Sequence, residues 1–264
     1  MKINDVELFV EDLGNKDGEV IVFLNGVMAS TNSWYQIMKP FIELGYRIIL
    51  HDFKGQLKSD KPKGPYTFEE HARETVEILN KSEINKAHFI GTSYGGEVAL
   101  NIGFRYPNLV KSLVIIDSVS ETDLKMKNEI NYWIKLCENK DGYAFFWGMA
   151  KSIYGSTFMM ENKDFLEQRA QATKHVDPSY LEGQIILYKT FNDDVYMNAG
   201  TLWTLPNVTM DFTVYHEETE MGYQLPAGFG LGNISITLND GVNNVNNIAL
   251  VNGVVSFDLA NMND

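Results

Sequence analysis

The sequence lacks the features that identify disulfide-bonded, zinc-binding, membrane-spanning and secreted proteins. Among 264 residues there is a single cysteine, Cys137, so no internal disulfide is possible, and no Cys/His group has the spacing of a zinc site. No run of about 18 apolar residues exists to span a membrane. The segment 1–14 carries acids where a secretory signal needs an apolar stretch. We therefore expect a cytoplasmic protein with no metal and no membrane partner.

Basic residues are missing from the last part of the chain. All 22 Lys and Arg lie at or before Lys189, whereas nine of the 35 acidic residues lie after it. The net charge is −13, and because phosphate binding needs clustered Lys and Arg, no nucleic-acid partner is expected. The same region holds 12 Asn, so the amino-acid composition changes near residues 190–205.

Hydrophobic residues make up 44% of the chain, which is too high for a disordered protein. In the first 120 residues, apolar runs typical of buried strands alternate with helical patterns. The predicted strands are 20–24, 46–50, 87–90 and 113–116, and the predicted helices are 31–44, 67–79 and 97–106. Thr67 and Glu70 form a capping box that opens the second helix. This alternation predicts an α/β fold, a mostly parallel sheet with helices on both faces.

The rest of the chain falls into two segments that differ in composition and in hydrophobic pattern. Residues 121–195 are helical in pattern and rich in aromatics and Met, which indicates either a packing layer or a lid over an apolar site. Residues 196–264 alternate apolar and polar side chains, and Asn252-Gly253 between two apolar runs predicts a β-hairpin. We expect a core at 1–120, a helical cap at 121–195, and a β-rich segment at 196–264 that completes the sheet or forms a separate module.

The most informative motif is Gly91-Thr92-Ser93-Tyr94-Gly95-Gly96, between a predicted strand and a predicted helix. It is a G-x-S-x-G motif in the strand–turn–helix context that such a motif requires. The turn leaves no room for large side chains, and it pushes Ser93 out at the carboxyl end of the sheet. The adjacent helix N-terminus favours negative charge there.

With this motif, the chain resembles the α/β-hydrolase superfamily over about residues 3–195. Four segments carry the resemblance in the family's order: 20–34, which resembles the oxyanion strand and loop; 51–62; 89–100; and 106–117. Two departures stand out. Asn25-Gly26 occupies the place of the family's His-Gly, and Gly55-Gln56-Leu57 replaces a Gly-x-Gly. Both look tolerable, since an Asn can hold a tight turn.

The resemblance implies that Ser93 is a nucleophile and that the backbone N–H groups of Tyr94 and Val27 form an oxyanion hole. A serine also needs a base and an acid that orients the base, and the family's chain order is Ser, acid, His. No histidine follows His216, so His216 is the candidate base. Asp117, after the strand that follows the motif, is the candidate acid, with Glu220 as the alternative.

The tail leaves two interpretations open. If 210–215 and 234–238 are the last two strands, Asn243 or Asn244 stands where the catalytic His belongs, and the protein would be inactive. Alternatively, the hydrolase sequence stops near 195–205 and an unrelated β module follows. Asp240-Gly241 and its neighbours lack the alternating acids of an EF-hand loop, so no calcium site is predicted.

The resemblance therefore implies a serine hydrolase acting on a small carboxylic ester or lactone through an acyl-enzyme, with no cofactor. The alternative is a catalytically inactive scaffold or chimera whose β-rich tail serves binding.

Overall fold

The computed structural model describes residues 1–119, 122 and 124–191 in full. Residues 192–193 and the short strands 210–213, 238–239, 244–245 and 254–257 are described by their backbone. Among the features predicted from the sequence, His216, Glu220, Asn243 and most of the hairpin lie outside the described residues. No helix in the described part of the chain has both the length and the apolar character needed to cross a membrane.

A seven-stranded sheet forms the centre of the fold. The strands along the chain are β1 Lys2–Ile3, β2 Val6–Glu7, β3 Val10–Gly14, β4 Val20–Leu24, β5 Arg47–His51, β6 Ala87–Thr92, β7 Val110–Ile116, β8 Met210–Thr213, β9 Leu238–Asn239, β10 Asn244–Val245 and β11 Val254–Phe257. The order in the sheet is β11-β8-β7-β6-β4-β5-β3. The strands β5, β4, β6, β7 and β8 run parallel, and the two edge strands, β3 and β11, pair antiparallel with their neighbours. The predicted α/β fold with a mostly parallel sheet is confirmed.

Helices flank this sheet and fill the chain after β7. Their bounds are α1 Lys39–Glu43, α2 Phe68–Lys81, α3 Tyr94–Arg105, α4 Leu124–Glu138, α5 Gly142–Ile153, α6 Ser156–Glu161, α7 Lys163–Lys174 and α8 Pro178–Asp193. All five residues of β4 are buried, as expected for a strand covered on both faces. The predicted capping box is present: Thr67 Oγ1 accepts from Glu70 N–H at 3.0 Å, and the Glu70 carboxylate accepts from Thr67 N–H at 3.2 Å.

One local prediction was wrong. The helix predicted over 31–44 is instead a 3₁₀ turn, Thr31–Trp34, and the short helix α1. Pro40, at the start of α1, has no N–H to donate, so one continuous helix could not run through it. In the tail, β8 pairs with β11, and β9 pairs with β10.

Candidate functional site

Ser93 is the single residue between β6 and α3. Its backbone has φ 47° and ψ −121°, a conformation that non-glycine residues rarely adopt. The surroundings hold it there: Ser93 N–H donates to the Ile116 carbonyl at 2.8 Å, and the Ser93 carbonyl accepts from Gly96 N–H at 2.7 Å and from Ser118 Oγ at 2.9 Å. Hydrogen bonds to Ile116, Ser118 and Gly96 thus hold Ser93 in its strained backbone conformation.

Two glycines make this turn sterically possible. A Cβ on Gly91 would overlap the carbonyl oxygen of Gly95, and a Cβ on Gly95 would overlap the carbonyl oxygen of Leu24. Both obstacles are backbone atoms, which cannot move aside as a side-chain tip can. The glycines therefore let α3 pack tightly against β4 and β6, and this packing directs Ser93 outward.

Ser93 lines a cleft of about 910 Å³. The strand ends and loops of the sheet form one wall, and residues of α4, α5 and α8 form the other. The polar lining residues are Ser93, Asp117, Ser118, Lys125, Glu129 and Ser152. The others are Gly26, Val27, Met28, Ala29, Val119, Met126, Trp133, Met149, Ile153 and Phe191. The lining is thus mixed: Ser93 is one of six polar residues, and the other ten are apolar residues and a glycine.

The structure brings together most of the site residues predicted from the sequence. Ser93, Asp117 and Val27 all line the cleft. Tyr94 is the first residue of α3, so its N–H belongs to the helix end beside Ser93. Asp117 directly follows β7, is exposed, and has φ 50°. His216 lies outside the described residues.

None of the four described histidines lines this cleft. His51 and His71 are fully buried, and burial lowers the pKa of His51 to about 4. His88 Nδ1 lies 2.7 Å from Ser112 Oγ, and His175 is exposed at the end of α7. His51 and His71 therefore belong to the packed interior of the protein. Over the described residues, no group of three or more His, Cys, Asp or Glu is placed to bind a metal ion.

Sequence reasoning missed Glu97, one turn after Ser93 on α3. Its side chain is 1% exposed, and its Oε1 accepts from Val119 N–H at 2.8 Å. Burial raises the pKa of Glu97 to about 8, and the nearby charge of Asp117 adds to the rise. Glu97 thus anchors the 117–119 segment that borders the cleft. Its i+4 position after Ser93 was the only available signal.

Asn25, which occupies the place of the family's His, holds two loops of the site together. Its fully buried amide donates to the His51 carbonyl and to Gln56 Oε1, both at 2.9 Å, and accepts from Trp34 Nε1 at 2.7 Å. Asn25 therefore ties the 25–29 loop to the 52–60 loop. The two segments that depart from the family pattern are hydrogen-bonded to each other.

The comparisons with known proteins match this architecture. A family model described as the alpha/beta hydrolase fold matches residues 19–140. RutD of Variovorax paradoxus (strain S110), a candidate carbamate hydrolase by name, is 30% identical over 210 residues, which cover 77% of this chain and 78% of that protein. The chain belongs to the α/β-hydrolase superfamily.

Other members of the α/β-hydrolase superfamily match over shorter stretches or in structure. The AB hydrolase superfamily protein YfhM of Bacillus subtilis (strain 168) is 31% identical over 116 residues, 43% of this chain and 41% of that protein. The crystal structure of MGS-M2, an α/β hydrolase enzyme from a Medee basin deep-sea metagenome library, has a TM-score of 0.67 and 25% identity, and it covers 72% of this chain and 70% of its own.

The names of these relatives describe different reactions. Alongside carbamate hydrolases, a non-heme chloroperoxidase of Streptomyces lividans matches at 31% identity over 119 residues, 45% of this chain and 43% of that protein. The chain spans about half the length, 41% to 57%, of three such curated α/β-hydrolase relatives. Membership therefore fixes the family and its fold, but neither the reaction nor the substrate.

Proposed function

We propose that the chain is a serine hydrolase that cleaves a small carboxylic ester or lactone through an acyl-enzyme on Ser93. The observation that carries the proposal is the strained Ser93, held at a helix N-terminus and facing a cleft that it shares with Val27 and Asp117. A G-x-S-x-G turn of this geometry is a nucleophile elbow, which exposes the hydroxyl above the sheet. No cofactor is needed for such acyl transfer.

The N–H groups of Val27 and Tyr94 form the proposed oxyanion hole. Val27 N–H has no acceptor among the described residues, although Val27 is 8% exposed and borders the cleft. Tyr94 N–H points out of the N-terminal end of α3, where the helix dipole favours negative charge. Each such donor stabilises the transition state of acyl transfer by about 3–4 kcal/mol.

Asp117 and His216 complete the proposed triad. Asp117 lies at the carboxyl end of β7, the neighbour of β6, and it borders the cleft with Ser93. His216 follows β8 by three residues, and β8 runs parallel to β7. In this proposal His216 takes the proton from Ser93 as the acyl bond forms, and Asp117 orients the imidazole. Glu220 is the alternative acid.

The lining of the cleft supports an apolar acyl or alkyl group in the substrate. The helical wall presents Met126, Trp133, Met149, Ile153 and Phe191. Residues 121–195, five helices in the described part, thus serve as a cap over Ser93 in this proposal.

One observation favours the second candidate, an inactive hydrolase-like scaffold whose β-rich tail, residues 196–264, serves binding. None of the four described histidines reaches the cleft, so the described residues supply no base for Ser93. This candidate makes the opposite prediction about the reactivity of Ser93, and one experiment therefore separates the two.

The test is covalent labelling with a fluorophosphonate probe, read by mass spectrometry of the tagged peptide. Wild type should be labelled at Ser93 and should hydrolyse p-nitrophenyl esters, and Ser93→Ala should lose both. The matched control is Ser156→Ala, which removes an exposed serine that does not line the cleft and should leave both unchanged. Folded wild type that takes no label would instead support the scaffold.

A further inference from the structure

Gln56 lies under the loop that carries Val27. Its side-chain amide is fully buried, and Nε2 donates to the Gly26 carbonyl at 2.8 Å and to the Val27 carbonyl at 3.3 Å. Oε1 accepts from Asn25 Nδ2 at 2.9 Å and from Phe53 N–H at 3.0 Å. All four hydrogen-bonding positions of the amide are therefore used, inside the protein and away from water.

The orientation of this amide is fixed by its partners. The Phe53 N–H can only donate, and the Gly26 and Val27 carbonyls can only accept. Oε1 must therefore face Phe53, and Nε2 must face the 26–27 segment. The assignment does not depend on a choice between two flipped amides.

Planarity of the peptide carries this constraint to the cleft. The Gly26–Val27 bond is trans, since the cis bond found in the described residues is Gly64-Pro65. In a trans peptide, the carbonyl of Gly26 and the N–H of Val27 point in opposite directions. Gln56 Nε2 and Ala29 N–H, at 2.8 and 3.0 Å, both hold the Gly26 oxygen. The direction of Val27 N–H is thereby set as well.

The same peptide lies beside Ser93. A Cβ built on Gly26 would be 3.8 Å from Ser93 Cβ, so the loop passes the serine at van der Waals distance. An oxyanion donor works only when it is aimed before the charge develops, and small changes of aim weaken it. Whatever fixes the Gly26–Val27 peptide therefore fixes one of the two proposed donors.

We infer that Gln56 is a positioning residue for catalysis: its buried amide clamps the Gly26–Val27 peptide and aims Val27 N–H at the developing oxyanion. The inference rests on the proposed function, since it assigns Gln56 to the same site. Gln56 acts through Val27 and does not itself line the cleft. Asn25 supports the clamp by donating to Gln56 Oε1.

The kinetic arm of the test compares Gln56→Met with Ser59→Ala. Met has a similar length but no hydrogen-bonding group. Ser59 lies in the same loop, is almost as buried, and bonds to Asp52 and Phe9 but not to residues 25–29. For a p-nitrophenyl ester, we expect kcat to fall about tenfold or more in Gln56→Met, with KM within about twofold. Ser59→Ala should keep kcat within about twofold of wild type.

The second arm measures amide hydrogen exchange in the peptide that covers residues 26–30, at a temperature where every variant is folded. Exchange there should rise in Gln56→Met and stay unchanged in Ser59→Ala. This readout needs no activity, so it tests the clamp even if wild type hydrolyses nothing and the proposed function fails. Gln56→Asn, which keeps a buried amide but is one methylene shorter, replaces Gln56→Met if that variant does not fold.

Equal kcat in Gln56→Met and wild type would overturn the inference, and so would unchanged exchange at residues 26–30. A fall in kcat that Ser59→Ala reproduces would overturn it too, because the loss would then come from general loosening of the 52–60 loop.

Discussion

At the scale of the residue, Glu97 shows how a buried carboxyl can serve the site without touching it. One oxygen accepts the Val119 N–H, and the other has no hydrogen-bond partner among the described residues. Because burial raises its pKa to about 8, Glu97 is protonated and neutral at pH 7. A neutral acid can hold the 117–119 segment beside Asp117 without adding a second negative charge there.

We therefore expect Glu97→Gln to change the pH dependence of stability. Below pH 4.5, Glu97 is protonated in both the folded and unfolded states and contributes no slope. Between 4.5 and about 8, the unfolded state loses the proton and the folded state keeps it, so the free energy of unfolding falls with rising pH, by up to about 1.4 kcal/mol per unit. Glu97→Gln should remove this fall.

The measurement is urea denaturation of wild type and Glu97→Gln between pH 4 and 9. The difference in unfolding free energy should grow in favour of the variant across this range and level off above pH 8. Glu138→Gln, an exposed change on α4, is the control and should run parallel to wild type. Parallel curves for Glu97→Gln would mean that Glu97 is ionised in the folded protein at neutral pH.

At the scale of the element, the register of three strands brings their carboxyl ends to one level. Thr92 of β6 pairs with Ile116 of β7, and Leu113 of β7 pairs with Met210 of β8. Three residues further along each strand, Ile116 of β7 and Thr213 of β8 therefore lie at the same position along the strand direction. Adjacent strands are about 4.8 Å apart, so Thr213 ends about 10 Å across the sheet from Thr92.

His216 is three residues beyond Thr213, and three extended residues reach about 10 Å. The reach of three residues from Thr213 thus equals the separation from the end of β6, which is what the proposal that His216 is the base requires. We expect His216→Ala to lower ester hydrolysis by about 10²- to 10⁴-fold, the usual loss for a general base. His175→Ala, which removes an exposed histidine on the far helical segment, should leave the rate unchanged.

Both histidine variants are compared by kcat and by the rate of fluorophosphonate labelling, with circular dichroism as the check of folding. If His216→Ala keeps the wild-type rate while Ser93 is still labelled, another group is the base, and the proposed triad is wrong.

The elements that the sequence predicted well are those with a local cause. The strand–turn–helix around Ser93 follows from two glycines and an apolar run, and α2 follows from the Thr67–Glu70 capping box. The helix predicted over 31–44 is absent because Pro40, which lacks an N–H, interrupts a segment whose apolar spacing is helical. These errors and successes all concern residues within a few positions of one another.

Features that depend on distant residues had no such signal. Gln56 and Gly26 are 30 positions apart, and their contact exists only because β4 and β5 are neighbours. The burial of Glu97 depends on the 117–119 segment packing over α3. The antiparallel pairing of β11 with β8 likewise joins strands about 40 residues apart, and periodicity within either strand does not reveal it. The division into 1–120, 121–195 and 196–264 stays a prediction.

At the scale of the whole molecule, the helical part of the chain contacts the loop after β5 through two glycines. A Cβ on Gly183 of α8 would overlap the carbonyl oxygen of Gly55, in the loop after β5. Gly55 itself has φ 89°, and a Cβ there would lie 2.8 Å from the Tyr66 ring. The helical part of the chain thus approaches the loop after β5 as closely as the backbone allows, and since the same helix carries Phe191, we expect this approach to set the width of the cleft.

Gly183→Ala should therefore push α8 away from the loop that carries Gly55 and weaken the packing between them. The added methyl meets a backbone oxygen that cannot rotate away, so we expect the free energy of unfolding to fall by about 1–3 kcal/mol. Because α8 contributes Phe191 to the cleft, the preference among p-nitrophenyl esters of different acyl length should shift as well. Thermal denaturation and a series of kcat/KM values measure the two effects.

Gly148→Ala is the matched control, since it makes the same change in another helix. There the added methyl meets the tip of Leu136, a flexible side chain on the neighbouring helix, and both residues belong to the helical part. Each substitution gains the same helix propensity, about 1 kcal/mol. The difference in unfolding free energy between the two variants therefore reports on the Gly55–Gly183 contact. If both variants lose stability equally and keep one acyl-length profile, the Gly55–Gly183 contact does not set the width of the cleft, and the packing of α4 against α8 must do so.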